Sequence, residues 1–310
     1  MNAPSRIDLE PGDGPDKARA LASQPAISVR DLRFGRGEAM PRWWCNGDPI
    51  GTAWLNSLSA SFPRGEALFI ESVKAFRDGA PARLEREIRA FIQQEVNHSR
   101  EHLAFNRAAG QSGYDLSAID ERIAANNALA RTRPPIVQLA LTIALEHFTA
   151  MFAHLFLSDP QAFFDPTGPQ AAIWRWHAIE EIEHKGVAYD TFLHATRDWP
   201  RWRRWKLKAL TMLLITRRFI HHRSRDALDL LAQDGIVGWK ARVRLAWYLF
   251  GKPGGLRRLI PAWLAYFAPG FHPWNRDDRA LIARHDSEFA DAVMPQPSAP
   301  SRSAASAIAS

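Results

Sequence analysis

The sequence predicts an all-α protein, a four-helix bundle followed by additional C-terminal helices, and three observations carry that prediction. Between Pro81 and Thr196 apolar residues recur at alternating steps of three and four, the spacing of one helix face. Glu-x-x-His occurs twice inside these stretches, at Glu95–His98 and Glu181–His184. Residues i and i+3 share a helix face, so each pair offers a carboxylate and an imidazole to one point. A further Glu precedes each pair among apolar neighbours, Glu66 and Glu146. The order Glu, Glu-x-x-His, Glu, Glu-x-x-His is that of a bundle with a di-metal core.

Residues 1–26, rich in Pro, Gly, Asp and Ala, are expected to be disordered. Ile27–Phe34 reads as a short strand, and Arg42–Asp48 as an aromatic loop against the first bundle helix. That helix is expected to start after Phe62-Pro63-Arg64-Gly65, run from Glu66 to Arg77 and stop at Gly79. Phe69, Val73 and Phe76 share its apolar face with Glu66, whereas Glu71 faces solvent. The second helix follows Pro81 with the register Leu84, Ile88, Phe91, Glu95, His98, His102, Phe105. Polar residues thus occupy core positions, at a cost of several kcal/mol unless something pairs with them. A metal is the natural partner.

The third helix begins at Pro134-Pro135, is apolar nearly all round, and carries Glu146 as its one acidic residue. The fourth runs from Pro169 to Thr196, with His177, Glu181 and His184 on one face and Glu180 and Glu183 directed elsewhere. The organisation expected is a di-metal helical bundle with its aromatic lead-in over 27–196, a basic and aromatic helical extension packed on it over 197–290, and a disordered tail over 291–310.

Among the 310 residues, Cys45 is the single cysteine. This excludes an intrachain disulfide and a cysteine-based zinc or iron–sulfur site, and it fits a reducing, cytoplasmic compartment. The N-terminal residues lack the apolar core of a signal peptide, and no stretch approaches the ~20 uncharged apolar residues of a membrane span. Net charge is +7, and from Arg201 to Arg225 there is no Asp or Glu. Trp199, Arg201, Trp202, Arg203, Arg204, Trp205, Lys206 and Lys208 are candidates for contact with an anionic membrane at its inner face. The plainer reading is a basic helix whose tryptophans pack on the bundle; nucleic acid fits less well. No flavin, nicotinamide or Gly-rich phosphate motif is present.

Phe62–Glu66, Glu95–His98, Trp176–Lys185 and Pro269–Trp274 resemble a bacterial family catalogued as predicted metal-dependent hydrolases, over roughly residues 27–285. They also resemble the wider ferritin-like di-iron proteins. The resemblance implies a ferritin-like bundle with Glu66, Glu95, His98, Glu146, Glu181 and His184 as metal ligands. Glu95 and Glu181 would bridge two metals, and Glu66 and Glu146 would be terminal. His102 and His177 each lie one turn from a ligand, as an added ligand or as a partner that orients a carboxylate; a buried, hydrogen-bonded histidine is the plainer reading of each. Two irons are expected, with manganese or a mixed pair as the alternative. The chemistry expected is O2-dependent oxidation or hydroxylation of a small hydrophobic or amine substrate, with an external electron donor. The alternative is a hydrolase using a metal-bridging water, as the family name implies. Metal storage is a third reading, which the length of the chain disfavours. Oligomeric state is open, and a dimer is compatible with the sequence.

Overall fold

The computed structural model describes residues 25–294 apart from positions 38 and 166, and among these residues it is helical, with no strand. The helices are α1 (Pro49–Lys74), α2 (Ala82–Gln111), α3 (Ser117–Arg131), α4 (Pro135–Ser158), α5 (Pro169–His184), α6 (Val187–Ala195), α7 (Arg201–Gln233), α8 (Gly238–Ala246), α9 (Gly255–Ala265) and α10 (Arg279–His285). α1 packs on α2, α4 packs on α5, and α7 packs on both α1 and α4.

The first helix starts at Pro49, not near Glu66 as expected. Asp48 caps it by accepting from the Ile50 and Gly51 amides, and Pro49 sits in the first turn, where a missing N–H costs nothing. Pro63 lies inside the helix. A proline cannot donate to the carbonyl four residues back. That carbonyl, Ser59 O, accepts from Asn106 Nδ2 at 3.2 Å instead. The helix continues through its proline because α2 supplies the missing donor. The aromatic loop docks on α1 as expected, with Trp44 Nε1 donating to Asn56 Oδ1 at 2.9 Å.

α4 is the core helix. It is the one helix among the described residues long and apolar enough to cross a membrane, which the sequence reading did not expect of any stretch. Yet 72% of its most apolar window is buried inside the protein. The expected fourth helix is broken at Lys185-Gly186 into α5 and α6. There Gly186 meets the Trp274 indole, and a Cβ would approach that ring to 3.0 Å.

Ile27–Phe34 is not a strand. Its one antiparallel bridge joins Arg30 to Val293, and Met294 N donates to Val29 O. Other amides of the segment donate to carboxylates: Ser28 to Glu183, Arg30 to Glu180 and Phe34 to Glu101. Backbone groups satisfied by side chains leave no ladder for a neighbouring strand. Val293 and Met294, placed by the sequence in the tail, thus meet the backbone of Arg30 and Val29, while the disorder expected over 1–24 and 295–310 falls outside the described residues.

Candidate metal centre

Four helices converge on one buried point. α1 brings Glu66; α2 brings Glu95, His98 and His102; α4 brings Glu146; α5 brings His177, Glu181 and His184. All of these side chains are buried. Two groups form in which the potential ligand atoms all lie within 4.8 Å of one another: Glu66, His98 and His177, and Glu95, Glu181 and His184. Glu181 Oε1 stands between the groups, 2.8 Å from His177 Nε2, 3.6 Å from His98 Nδ1 and 3.5 Å from His184 Nε2. Glu146 Oε2 lies 3.6 Å from His184 Nε2. The six expected ligands are thus brought together and His177 joins them, whereas His102 belongs to neither group and touches one only through His177.

Hydrogen bonds on the far side of each ring decide which nitrogen faces inward. Asn106 Nδ2 is committed to Ser59 O, so its Oδ1 accepts from Ser59 Oγ. Ser59 Oγ must then accept from His102 Nδ1 at 2.9 Å. His102 Nε2 is left as an acceptor for His177 Nδ1–H at 2.6 Å, and His177 Nε2 points at the carboxylates. His98 Nε2 donates to Glu180 Oε2 at 3.0 Å, leaving Nδ1 inward. His184 Nδ1 donates to Gln94 Oε1 at 2.9 Å, leaving Nε2 inward. Partners of this kind set the tautomer and orientation of metal-binding histidines.

Helical spacing directs Glu180 and Glu183 away from the Glu181 face, yet both take part in the site. They are buried behind the ligands, where Arg30 joins them. Arg30 grips Glu183 with two nitrogens at 2.7 and 3.1 Å, reaches Glu180 at 3.4 Å and Asp286 at 2.6 Å, and is itself fully buried. Gln94, which holds His184, donates to Glu183 Oε2 at 3.0 Å. One guanidinium therefore stands behind two of the three inward histidines. The signal was present in the sequence as buried-register glutamates flanking Glu181, but their partner lies 150 residues away.

The electrostatics call for cations. Burial pushes the Glu66, Glu95 and Glu146 carboxyls well above the usual range, and repulsion from neighbouring carboxylates adds to it. Burial acts the same way on Glu181, but His184 and His177 beside it hold it well below. Burial also holds the His98 and His102 rings well below their ordinary value. Both oxygens of Glu95 and of Glu146, Glu66 Oε1, Glu181 Oε2, His98 Nδ1 and His184 Nε2 have no hydrogen-bond partner. Buried polar atoms are ordinarily paired, and among the described residues half of the unpaired ones are atoms of this one ligand set, the rest being scattered singly elsewhere. Two divalent cations would satisfy the ligand atoms and balance four carboxylates, so the residues present fit a dinuclear metal centre.

A largely apolar chamber of about 180 Å³ abuts this centre. Glu66, His177 and Glu181 line one part of it, and Phe62, Phe148, Phe152 and Ala153 form apolar wall. α7 contributes Ile215, Arg218, Phe219 and His222. Of the candidate membrane residues, Arg201, Trp202, Arg203, Trp205 and Lys206 are exposed, and Trp199 and Arg204 are half-buried. Lys208 does not fit that role: it is buried and donates to Tyr266 O at 2.7 Å.

Fold and site together define an all-helical protein with a buried carboxylate and histidine centre suited to metal. The chain belongs to the family described as predicted metal-dependent hydrolase, whose family model matches residues 28–277. No curated protein and no solved structure matches it.

Proposed function

We propose that the protein is a dinuclear metal-dependent hydrolase of ferritin-like architecture, acting on a small apolar substrate. The observation that carries this reading is the pair of buried ligand groups around Glu181, opening on an apolar chamber. The family description supports hydrolysis. Bound metals would supply Lewis acidity and a water of lowered pKa. Glu66, Glu95, His98, Glu146, His177, Glu181 and His184 would hold them. Ser99 Oγ, donating to Glu66 Oε2 at 2.6 Å, fixes one of the two carboxylates that line the chamber. The phenylalanine walls exclude bulk water and orient an apolar substrate toward His177 and Glu181.

A second reading, O2-dependent oxidation with an external electron donor, is favoured by one observation. The donor set is all carboxylate and imidazole, carried on helices, and such a set suits two irons or manganese. The two readings separate in one experiment. Protein purified without chelator is assayed for metal, then offered short-chain chromogenic esters and amides with and without O2. Two metals per chain and O2-independent, chelator-sensitive turnover are expected. Ala153→Phe should lower kcat/KM at least tenfold at unchanged metal content by filling the chamber. O2 uptake by the reduced iron form without ester or amide turnover would replace hydrolysis by oxidation, and absence of bound metal would end both.

A further inference from the structure

Two stretches of the C-terminal half contain no acidic residue at all, 199–225 and 235–276. They hold α7's first three quarters, α8, the π-helical turn Trp247–Gly251 and α9. These elements pack together. Trp263 Nε1 donates to Thr216 Oγ1, Lys208 Nζ to Tyr266 O, and Trp205 Nε1 to Phe267 O. Rising numbers past Trp263 thus meet falling numbers in α7, so α9 and the residues after it run antiparallel to α7. α8 and the π-turn complete the layer by contacting α7 and α9 in turn.

Every element of this layer carries large apolar side chains exposed to solvent. On α7, Leu210, Leu213 and Leu214 are exposed, followed by Arg217 at the same helical spacing. α9 adds exposed Ile260 and Leu264. Trp202, Trp239 and Trp247 are 66%, 70% and 66% exposed, values far from those of core tryptophans such as Trp176. Exposed cations are interleaved with them: Arg201 and Lys206 on α7, and Lys240, Arg242 and Arg244 on α8. The opposite side of α7 supplies Ile215 and Phe219 to the metal chamber.

We infer that this face, formed by α7, α8, the π-turn and α9, docks on an anionic lipid bilayer. The charge is complementary to acidic headgroups, and tryptophan with aliphatic side chains suits the boundary between headgroup and acyl chain. A second copy of the face would carry the same unopposed positive charge and repel it. A nucleic-acid backbone would satisfy the cations but leave the leucines without apolar contact. The docked orientation would place α7 between the lipid and the chamber, whether or not the centre is hydrolytic.

The test is co-sedimentation of the full chain with vesicles of phosphatidylcholine alone or mixed with phosphatidylglycerol. Binding to the mixed vesicles, weakened by salt, and none to phosphatidylcholine alone are expected. Trp239→Glu with Trp247→Glu should cut the partition at least tenfold. Lys240→Gln, Arg242→Gln and Arg244→Gln should each cut it about fivefold. These side chains are exposed, so helix content and metal content should not change. Leu213→Glu provides an independent apolar probe should the double variant misfold. Failure of the intact chain to bind mixed vesicles would overturn the inference, as would binding indifferent to both tryptophan and leucine replacements. Binding to a DNA duplex in place of vesicles would reassign the face to phosphate backbone and overturn it equally.

Discussion

His102 Nε2 lies 2.6 Å from His177 Nδ1, so a histidine outside both ligand groups fixes the ring of one inside. His102→Ala should leave the site's carboxylates in place and weaken metal affinity roughly 10–100-fold. Competition against a metallochromic chelator reads this directly. His177→Ala should cost more, because it removes an inward nitrogen. Equal affinity of wild type and His102→Ala would deny His102 its orienting role.

Pro63 and Asn106 form a compensating pair across α1 and α2. Asn106→Ala leaves the Ser59 carbonyl unsatisfied and should cost about 1–3 kcal/mol in urea unfolding. In a Pro63→Ala background the alanine amide can take that carbonyl, so the same change should cost distinctly less. Additivity of the two single changes in the cycle would refute the compensation.

Arg30 is fully buried among Glu180, Glu183 and Asp286. Removing one partner of a buried charge cluster costs about 3–5 kcal/mol, because the others stay behind unpaired. Arg30→Ala should therefore lower the melting temperature sharply and reduce metal retention. Arg30→Met with Glu183→Gln should recover part of the stability, since it removes a buried charge of each sign. A melting temperature unmoved by Arg30→Ala would show the cluster to be dispensable.

Burial pushes the Cys45 thiol from 9.0 up to about 12, and its Sγ donates to Phe163 O at 2.8 Å. The raised value means its contribution to stability is complete below about pH 9 and is lost as pH rises toward 12, where the unfolded chain ionises first. Between pH 9 and 10, Cys45→Ala should flatten the fall in unfolding free energy relative to wild type, by at most about 1.4 kcal/mol per pH unit, the contribution of the raised tyrosines being common to both proteins. Native protein should also resist thiol reagents at pH 8, and rapid modification would contradict the buried placement.

The ligand-bearing faces were legible in the sequence because helical spacing is local. Glu95 with His98, Glu181 with His184, and Glu146 alone among apolar residues announce themselves within one helix. The starts of α2 and α4 could be read from Pro81 and Pro135 for the same reason. α1 was misread because Pro63 is a helix breaker unless a distant side chain repairs the gap, and Asn106 is 43 positions further on. α3 escaped notice because its buried stripe is only Ile119, Ile123 and Asn127. It is held by tertiary polar contacts, Arg64 with Asp120 and Asn127 with Arg64 O. The supports of the centre were least legible of all. Nothing near Arg30 in sequence reveals that Glu180, Glu183 and Asp286 await it.

That arrangement also imposes an order of assembly. Arg30 is synthesised before every side chain of the centre, and Asp286 after all of them. A growing chain can gather its carboxylates and histidines while the residues that clamp Arg30 from the far side are still missing. The bundle would then be ready to accept metal before it is ready to keep it, and the turn that carries Asp286 would act as the latch. A chain ending at residue 276 should take up metal and release it faster than the full chain, and equal release rates would show that the latch does nothing.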